Sequence, residues 1–253
     1  MITTETYTDA KLSNGIPARI AAALRGPGHL HLAAADTAAL AGGTAADWAA
    51  LADEWNYLSL DRYMADGGTY RLRRYSKLEL DTGAGTLTLQ PHGPYVQSTS
   101  VNYLNGGVDR HFDPCTPQLT GSPVLRGLLT SLGTVYAAVH GATRWDIRLH
   151  PYRILAERDT TGQPAPEGRH RDGVTFIHTL MIGRHQIAGG VSRIHDDDGN
   201  TLAEVLLTHR GELLLADDLR TTHSVTPVLP AEFFASGHRD VLVIAYTAID
   251  DVR

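Results

Sequence analysis

Residues 173–182 read GVTFIHTLMI, an apolar run whose length and composition predict a β-strand. Turn residues separate this run from similar segments, at intervals of about 8–15 residues. No helical pattern lies among these segments, so parallel βαβ winding is not expected. The sequence predicts a mainly β fold with flanking helices, a double-stranded β-helix of the jelly-roll or cupin-like type. The other predicted strands in this half of the chain are 145–149, 189–195, 201–208, 212–216, 224–228 and 241–248.

The first 141 residues mix helices with strands. A helix is predicted over 15–24, a strand over 29–33, and strands over 70–81 and 86–90. Thr44 and Asp47 form a variant of the capping box and predict the start of a second helix. Ser122 and Pro123 predict the start of a long amphipathic helix that ends at Gly141. We expect one domain over 1–253, with 1–100 as an α/β extension that packs on a jelly-roll core over 101–253.

Composition narrows the class of protein. The chain has 253 residues, 42% of them hydrophobic, which is enough for a sizeable core. The net charge of −6 comes from interspersed acids and bases, so neither nucleic acid nor a membrane surface is an expected partner. The sequence starts without a signal-peptide pattern, and Cys115 alone cannot form an internal disulfide. These features favour a cytoplasmic protein and leave open whether it forms a homodimer.

Four His-x-Asp tripeptides occur, starting at His111, His170, His195 and His238. Only the pair of His170 and Asp172 is followed by a β-rich stretch, then by His223, and then by Arg239 at the edge of another strand. Two imidazoles and one carboxylate on one face of a metal ion, with three positions left free, are typical of non-haem Fe(II) oxygenases. An arginine near such a site would bind the far carboxylate of 2-oxoglutarate.

Structural alternatives exist for each of these residues. His170 and Asp172 would equally suit a surface pair in a proline-rich loop, with His223 as a core histidine. Arg239 would equally suit an ion pair with Asp240. Some of the arginines near the expected mouth of the barrel would hold a substrate carboxylate or simply face solvent. These arginines are Arg71, Arg73, Arg74, Arg110, Arg148 and Arg153.

A longer set of segments carries a family resemblance. It comprises PEGRHRDGV at 166–174, GGVS at 189–192, DD at 217–218, HSVTP at 223–227 and RDVLV at 239–243. The chain resembles the bacterial 2-oxoglutarate/Fe(II)-dependent dioxygenases that hydroxylate free amino acids, the L-isoleucine 4-hydroxylase-like family. The resemblance covers roughly residues 55–250, and the stretch 166–174 is its most specific part.

The resemblance implies a site and a reaction. His170, Asp172 and His223 would bind Fe(II), and Arg239 would bind the C5 carboxylate of the cosubstrate 2-oxoglutarate. With O2, the enzyme would hydroxylate an unactivated carbon of a free aliphatic L-amino acid and release succinate and CO2. Such a substrate needs one arginine for its carboxylate and one acid for its ammonium group. We expect these contacts among Arg74, Arg110 and Glu167.

Three other functions stay open from sequence. The same oxidant would give desaturation or ring closure if the radical geometry differed. A cupin-like metal enzyme would use the same ligands for isomerisation or hydrolysis. A jelly-roll binding module would carry the histidines without catalysis.

Overall fold

Strands form most of the regular structure in the computed structural model, which describes residues 15–99, 106–232 and 234–249. A short 3-10 helix at Glu54–Tyr57 adds to the α-helices. The α-helices are α1 Ile16–Arg25, α2 Ala34–Ala41, α3 Ala45–Asp53, α4 Pro117–Gly121 and α5 Pro123–His140. The strands are β1 His29–Leu32, β2 Ser59–Leu60, β3 Arg71–Arg73, β4 Ser76–Asp81, β5 Thr86–Leu89, β6 Arg144–Glu157, β7 Phe176–His185, β8 Ile187–Gly189, β9 Ser192–His195, β10 Thr201–Val205, β11 Leu213–Asp217, β12 Thr222–Val225, β13 Val228–Pro230 and β14 Ser236–Ala248.

The strands form a large sheet and two small ones, and their pairings are antiparallel. The large sheet has the order β1-β11-β7-β14-β6-β3-β2, with β4 beside β6 and β5 beside β4. The small sheets have the orders β10-β9-β12 and β13-β8. This arrangement confirms the predicted jelly roll. Strands β1 to β5 hydrogen-bond with the large sheet although they precede residue 100, and the domain boundary proposed there stays a prediction.

Alternation along β7 shows how the large sheet separates two apolar layers. Phe176 and Leu180 belong to the outer core cluster, together with Leu128 of α5. Ile177 and Met181 belong to the inner cluster, which lies between the large sheet and the β10-β9-β12 sheet. The inner face of β7 therefore borders the space in which a ligand would bind, and the outer face supports it.

Two predicted helix starts are confirmed at atomic detail. The hydroxyl of Thr44 accepts a hydrogen bond from the backbone N–H of Asp47, whose carboxylate accepts one from the N–H of Thr44. At the start of α5 the hydroxyl of Ser122 accepts a hydrogen bond from the N–H of Leu125. The helix ends at Gly141, whose φ of 93° lies in the left-handed region that glycine tolerates. No helix within the described ranges combines the length and the apolar character needed to cross a membrane.

Strand β6 is longer than the sequence predicted, because Pro151 does not end it. The carbonyl of Pro151 accepts a hydrogen bond from the N–H of Arg74, on the side of β6 that faces β3 and β4. The missing N–H of a proline falls on that same side. There β6 changes partner between β3 and β4, so no ladder hydrogen bond is lost. The continued strand places His150, Tyr152 and Ile154 on the inner face.

A buried histidine connects β7 to α5. His178 donates a hydrogen bond from Nδ1 to the carbonyl of Ile244 at 2.8 Å, so its Nε2 accepts the hydroxyl proton of Tyr136. Burial lowers the pKa of His178 to about 4. Unfolded histidine has a pKa near 6.5, so the unfolded state binds the proton more tightly. The stabilisation by neutral His178 is complete above pH 6.5 and is lost as the pH falls towards 4.

We therefore expect His178 to lower the free energy of unfolding by about 2 kcal/mol between pH 7 and pH 5. Urea unfolding of the native sequence and of a His178→Phe, Tyr136→Phe double variant would measure this difference. The double variant removes the polar groups of both side chains together, so neither His178 nor Tyr136 is left buried without the other. Equal pH dependence in the two proteins would contradict the assignment.

Candidate metal centre and cosubstrate site

His170, Asp172 and His223 converge at one end of the inner cavity. One ligand atom from each lies within 4.8 Å of the others. The carboxylate of Asp172 lies 3.8 Å from Nε2 of His170 and 3.6 Å from Nε2 of His223. His170 and His223 also exchange backbone N–H···O hydrogen bonds, at 3.0 and 2.9 Å. The alternative of a surface loop pair and an unrelated core histidine therefore does not describe this structure.

The surroundings orient both imidazoles. Nδ1 of His170 donates to the carbonyl of Gly168 at 2.9 Å, which leaves the lone pair of Nε2 facing Asp172. Burial, with the nearby His170 ring, lowers the pKa of His223 to about 3 and keeps it neutral. A neutral imidazole is the form that binds a metal ion.

Asp218 binds the backbone of the turn that carries Asp172, a role that the sequence did not reveal. Its buried carboxylate accepts hydrogen bonds from the backbone N–H groups of Asp172, Gly173 and Val174, at 3.2, 2.8 and 3.0 Å. It also lies 3.8 Å from Nδ1 of His223. Asp218 thus fixes the turn that carries Asp172. The adjacent acids at 217–218 were the available indication, but only the fold shows where they point.

Arg239 lies within β14, as its fourth residue, although the sequence placed it just before a strand. Its side chain is 2% exposed, and its Nε has no hydrogen-bond partner among the described residues. Nη2 lies 3.5 Å from the hydroxyl of Ser192. Burial, with the neighbouring Arg184 guanidinium, lowers the pKa of Arg239 to about 10. A buried guanidinium without a carboxylate partner suits an anionic ligand.

The alternative partner, Asp240, faces the other side of the sheet. It accepts two hydrogen bonds from Arg153, at 2.8 and 2.7 Å. Arg239 and Asp240 are adjacent in a strand, so their side chains point to opposite faces. Asp240 therefore leaves Arg239 available to a ligand in the cavity.

Gly190 makes room for the arginine. Its φ is 70°, and a Cβ at this position would lie 3.0 Å from Cδ of Arg239 and 2.9 Å from Cγ1 of Val228. A side chain here would therefore be strained by both its conformation and its contacts. The close approach that the structure shows is to Arg239.

The arginines proposed for substrate binding occupy different places. Arg71 lines the cavity, with its Nε and Nη2 at 2.8 and 2.7 Å from Asp61. Arg74 is not among the lining residues and donates to the carbonyls of Tyr57 and Pro114. Arg110 also lies outside the lining, where it donates to Gln97 and stacks 4.6 Å from the ring of Tyr95.

Glu167 lines the same cavity as Arg71. Its carboxylate lies 3.6 Å from Nε2 of His170. Arg71 and Arg239 flank Ile154 in one row of the large sheet, so their backbones lie roughly 10 Å apart. The cavity therefore carries Glu167 and three arginines, Arg71, Arg148 and Arg239, together with the three candidate metal ligands.

Comparisons with known proteins agree with this chemistry. A model of the 2OG-Fe dioxygenase family matches residues 52–245. The chain belongs to the 2-oxoglutarate/iron dioxygenase family. L-isoleucine-4-hydroxylase of Bacillus thuringiensis is 24% identical over 196 residues, which cover 74% of this dioxygenase and 80% of that protein.

Solved structures show the same fold. The crystal structure of a bsmA homolog from Methylobium petroleophilum PM1 is 34% identical, with a TM-score of 0.85 over 92% of this dioxygenase and 93% of that chain. The structure of IDO from Bacillus thuringiensis is 15% identical, with a TM-score of 0.76 over 94% and 97% of the two chains. The second likeness concerns the fold alone.

The family uses Fe(II), 2-oxoglutarate and O2, and the residues of this dioxygenase fit those groups. Two imidazoles and a carboxylate match the ligands of non-haem iron. The buried Nε of Arg239 matches the need of a carboxylate for a planar, two-pronged donor. The predicted cofactors are confirmed at the level of the family.

Proposed function

We propose that this dioxygenase hydroxylates an unactivated carbon of a free L-amino acid, with succinate and CO2 as the other products. The observation that carries the proposal is the convergence, in one cavity, of three candidate metal ligands and a buried arginine whose Nε has no hydrogen-bond partner among the described residues. The relative named L-isoleucine-4-hydroxylase supports a free amino acid as the substrate class.

Each residue has a defined task in this proposal. His170, Asp172 and His223 would hold Fe(II), and Arg239 with Ser192 would hold the distal carboxylate of 2-oxoglutarate. Bound iron would supply the chemistry that activates O2, which oxidises both the substrate and 2-oxoglutarate and gives one oxygen atom to each product. The protein positions one C–H bond of the substrate and keeps water from the reacting atoms.

Substrate charges would be matched at the cavity wall. Arg71 would bind the α-carboxylate and Glu167 the α-ammonium group, because each buried charge needs a partner. Of the expected contacts, Glu167 is retained. Arg71 takes the role given to Arg74 and Arg110, because Arg71 lines the cavity and those two arginines do not.

Succinate formation across a panel of free amino acids would test the function, after anaerobic loading with Fe(II) and 2-oxoglutarate. We expect free amino acids to react and their N-acetyl or methyl-ester derivatives to react poorly, because the derivatives leave a buried charge unmatched. Equal turnover of free and blocked amino acids would refute the substrate class. If none of the free amino acids in the panel led to succinate formation, the proposed function would be refuted.

Glu167→Gln provides a residue-level test. Loss of the carboxylate removes the partner of the substrate ammonium, so the KM for the amino acid should rise by about tenfold or more. Affinity for 2-oxoglutarate should stay near that of the native enzyme. Glu204→Gln is a matched control, because Glu204 forms an exposed pair with Arg193 outside the cavity. An unchanged KM in Glu167→Gln would exclude this contact.

A further inference from the structure

His150 occupies the inner face of β6, near the candidate metal centre. It is 4% exposed and lines the cavity. Its ring stacks on Tyr75, with centroids 5.1 Å apart, and meets the edge of the Tyr95 ring at 4.7 Å. Tyr95 and the candidate metal ligand Asp172 line the same cavity as His150. His150 is thus close to the reacting end of the cavity.

Arg73 fixes the position of the ring proton on His150. Nη2 of Arg73 lies 2.7 Å from Nδ1 of His150. A guanidinium can only donate, so Nδ1 must accept and the proton must reside on Nε2. Burial, with the Arg73 charge, lowers the pKa of His150 well below its ordinary value and keeps the ring neutral.

Arg73 itself is held rigidly. It is 2% exposed and lies 3.8 Å from Asp61. Its guanidinium lies between two aromatic rings, 3.7 Å from the centroid of Phe112 and 4.7 Å from that of Tyr152. The hydrogen bond from Arg73 therefore fixes the tautomer of His150 before any ligand binds.

Within 15–99, 106–232 and 234–249, the side-chain hydrogen bond of His150 is the one that Nδ1 accepts from Arg73, and the ring lines the cavity. Across the large sheet, His150 lies opposite Val243. Arg239 and Arg71 both lie opposite Ile154, one on each side of β6. His150 and Ile154 are four residues apart along β6, which corresponds to a backbone distance of roughly 13 Å in an extended strand. The backbone of His150 therefore lies further along the cavity wall than the backbones of Arg239 and Arg71.

We propose that His150 donates a hydrogen bond from Nε2 to an oxygen on the side chain of the amino-acid substrate. This inference rests on the proposed function, in which Arg71 and Glu167 bind the α-carboxylate and α-ammonium groups. The side chain is then the part of the substrate that extends towards His150. An amide, carboxylate or hydroxyl oxygen satisfies the donor, whereas a purely aliphatic side chain leaves a buried N–H unpaired. The substrate class is a free amino acid with an oxygen-bearing side chain.

Substrate preference tests the proposal. Leucine matches asparagine and aspartate in shape but has no oxygen, so kcat/KM for these three, and for glutamine, glutamate and norleucine, should separate the classes. We expect at least one oxygen-bearing amino acid to exceed its aliphatic isostere by about tenfold or more. A preference for leucine or norleucine would overturn this inference and leave the proposed function standing. Failure of every free amino acid would instead overturn the proposed function.

Two variants locate the effect at His150. His150→Gln retains an acceptor for Arg73 and a donor for the cavity, so it should keep most of the preference. His150→Met has neither, so the ratio of kcat/KM values should fall about tenfold or more towards unity. Weaker 2-oxoglutarate binding in His150→Met with an unchanged amino-acid preference would overturn the assignment, because the donor would then serve the cosubstrate.

The tautomer has a readout that does not require turnover. ¹⁵N spectra of the histidine rings should show one neutral Nε2–H signal set that persists between pH 6 and 8 and disappears in His150→Gln. His31→Gln, a replacement of an exposed histidine, should leave that signal set in place. An Nδ1–H tautomer, or titration within this range, would contradict the donor role.

Discussion

Asp172→Ala should lose 2-oxoglutarate turnover by more than about 100-fold, because it removes the carboxylate between two candidate metal ligands. The carboxylate lies 3.8 Å from His170 and 3.6 Å from His223. Two neutral imidazoles alone would offer Fe(II) no compensating negative charge. Equilibrium dialysis with Fe(II) under argon and succinate measurement should both show the loss.

The fold should survive this substitution. Asp172 lies in a turn whose backbone N–H groups are held by Asp218, and alanine retains those hydrogen bonds. Circular dichroism should therefore match that of the native protein. Asp113→Ala is the control, since Asp113 ends another His-x-Asp tripeptide and accepts a hydrogen bond from Ser59. Native turnover in Asp172→Ala would exclude the metal centre proposed here.

Arg239→Lys should weaken 2-oxoglutarate binding by about 100-fold, the second large effect that we expect. Lysine keeps the charge but lacks the planar pair of donors, and its shorter reach leaves part of the buried space empty. Calorimetric titration of the metal-loaded protein under argon would give the dissociation constant. The KM for the amino acid should change much less, because Arg239 and the proposed substrate contacts are separate.

Arg153→Lys is a matched control for this experiment. Arg153 lies on the neighbouring strand, faces the opposite side of the sheet and binds Asp240. Its replacement removes a two-pronged ion pair of the same kind without touching the cavity. If both variants bind 2-oxoglutarate as the native enzyme does, Arg239 is not the carboxylate contact.

Local patterns in the sequence predicted much of the fold. The capping residues Thr44 and Ser122 each act within three residues of their partners, so their effect is visible in the sequence itself. The succession of strands and turns likewise predicted the jelly roll. The extent of β6 could not be predicted, because Pro151 is tolerated only where β3 and β4 meet along that strand.

The sequence indicated which residues form the candidate site. It did not show which other residues those side chains contact. The order His170, Asp172, His223 and Arg239 along the chain indicated the chemistry. Which arginine faces the cavity depends on strand register: Arg71 lies within β3 and points inward, whereas Arg74 follows the strand and binds backbone carbonyls. The contact between Arg73 and His150 joins residues 77 apart, and no local pattern reveals it.

The mutual backbone hydrogen bonds of His170 and His223 have a thermodynamic consequence. Residues that exchange both bonds in an antiparallel pair have their side chains on one face. The entropy of bringing two of the three candidate ligands together is therefore lost when the chain folds, and binding of the ion need not supply it. A metal centre built on such a pair is preorganised, so its affinity should depend on the integrity of two main-chain hydrogen bonds as well as on the imidazoles themselves.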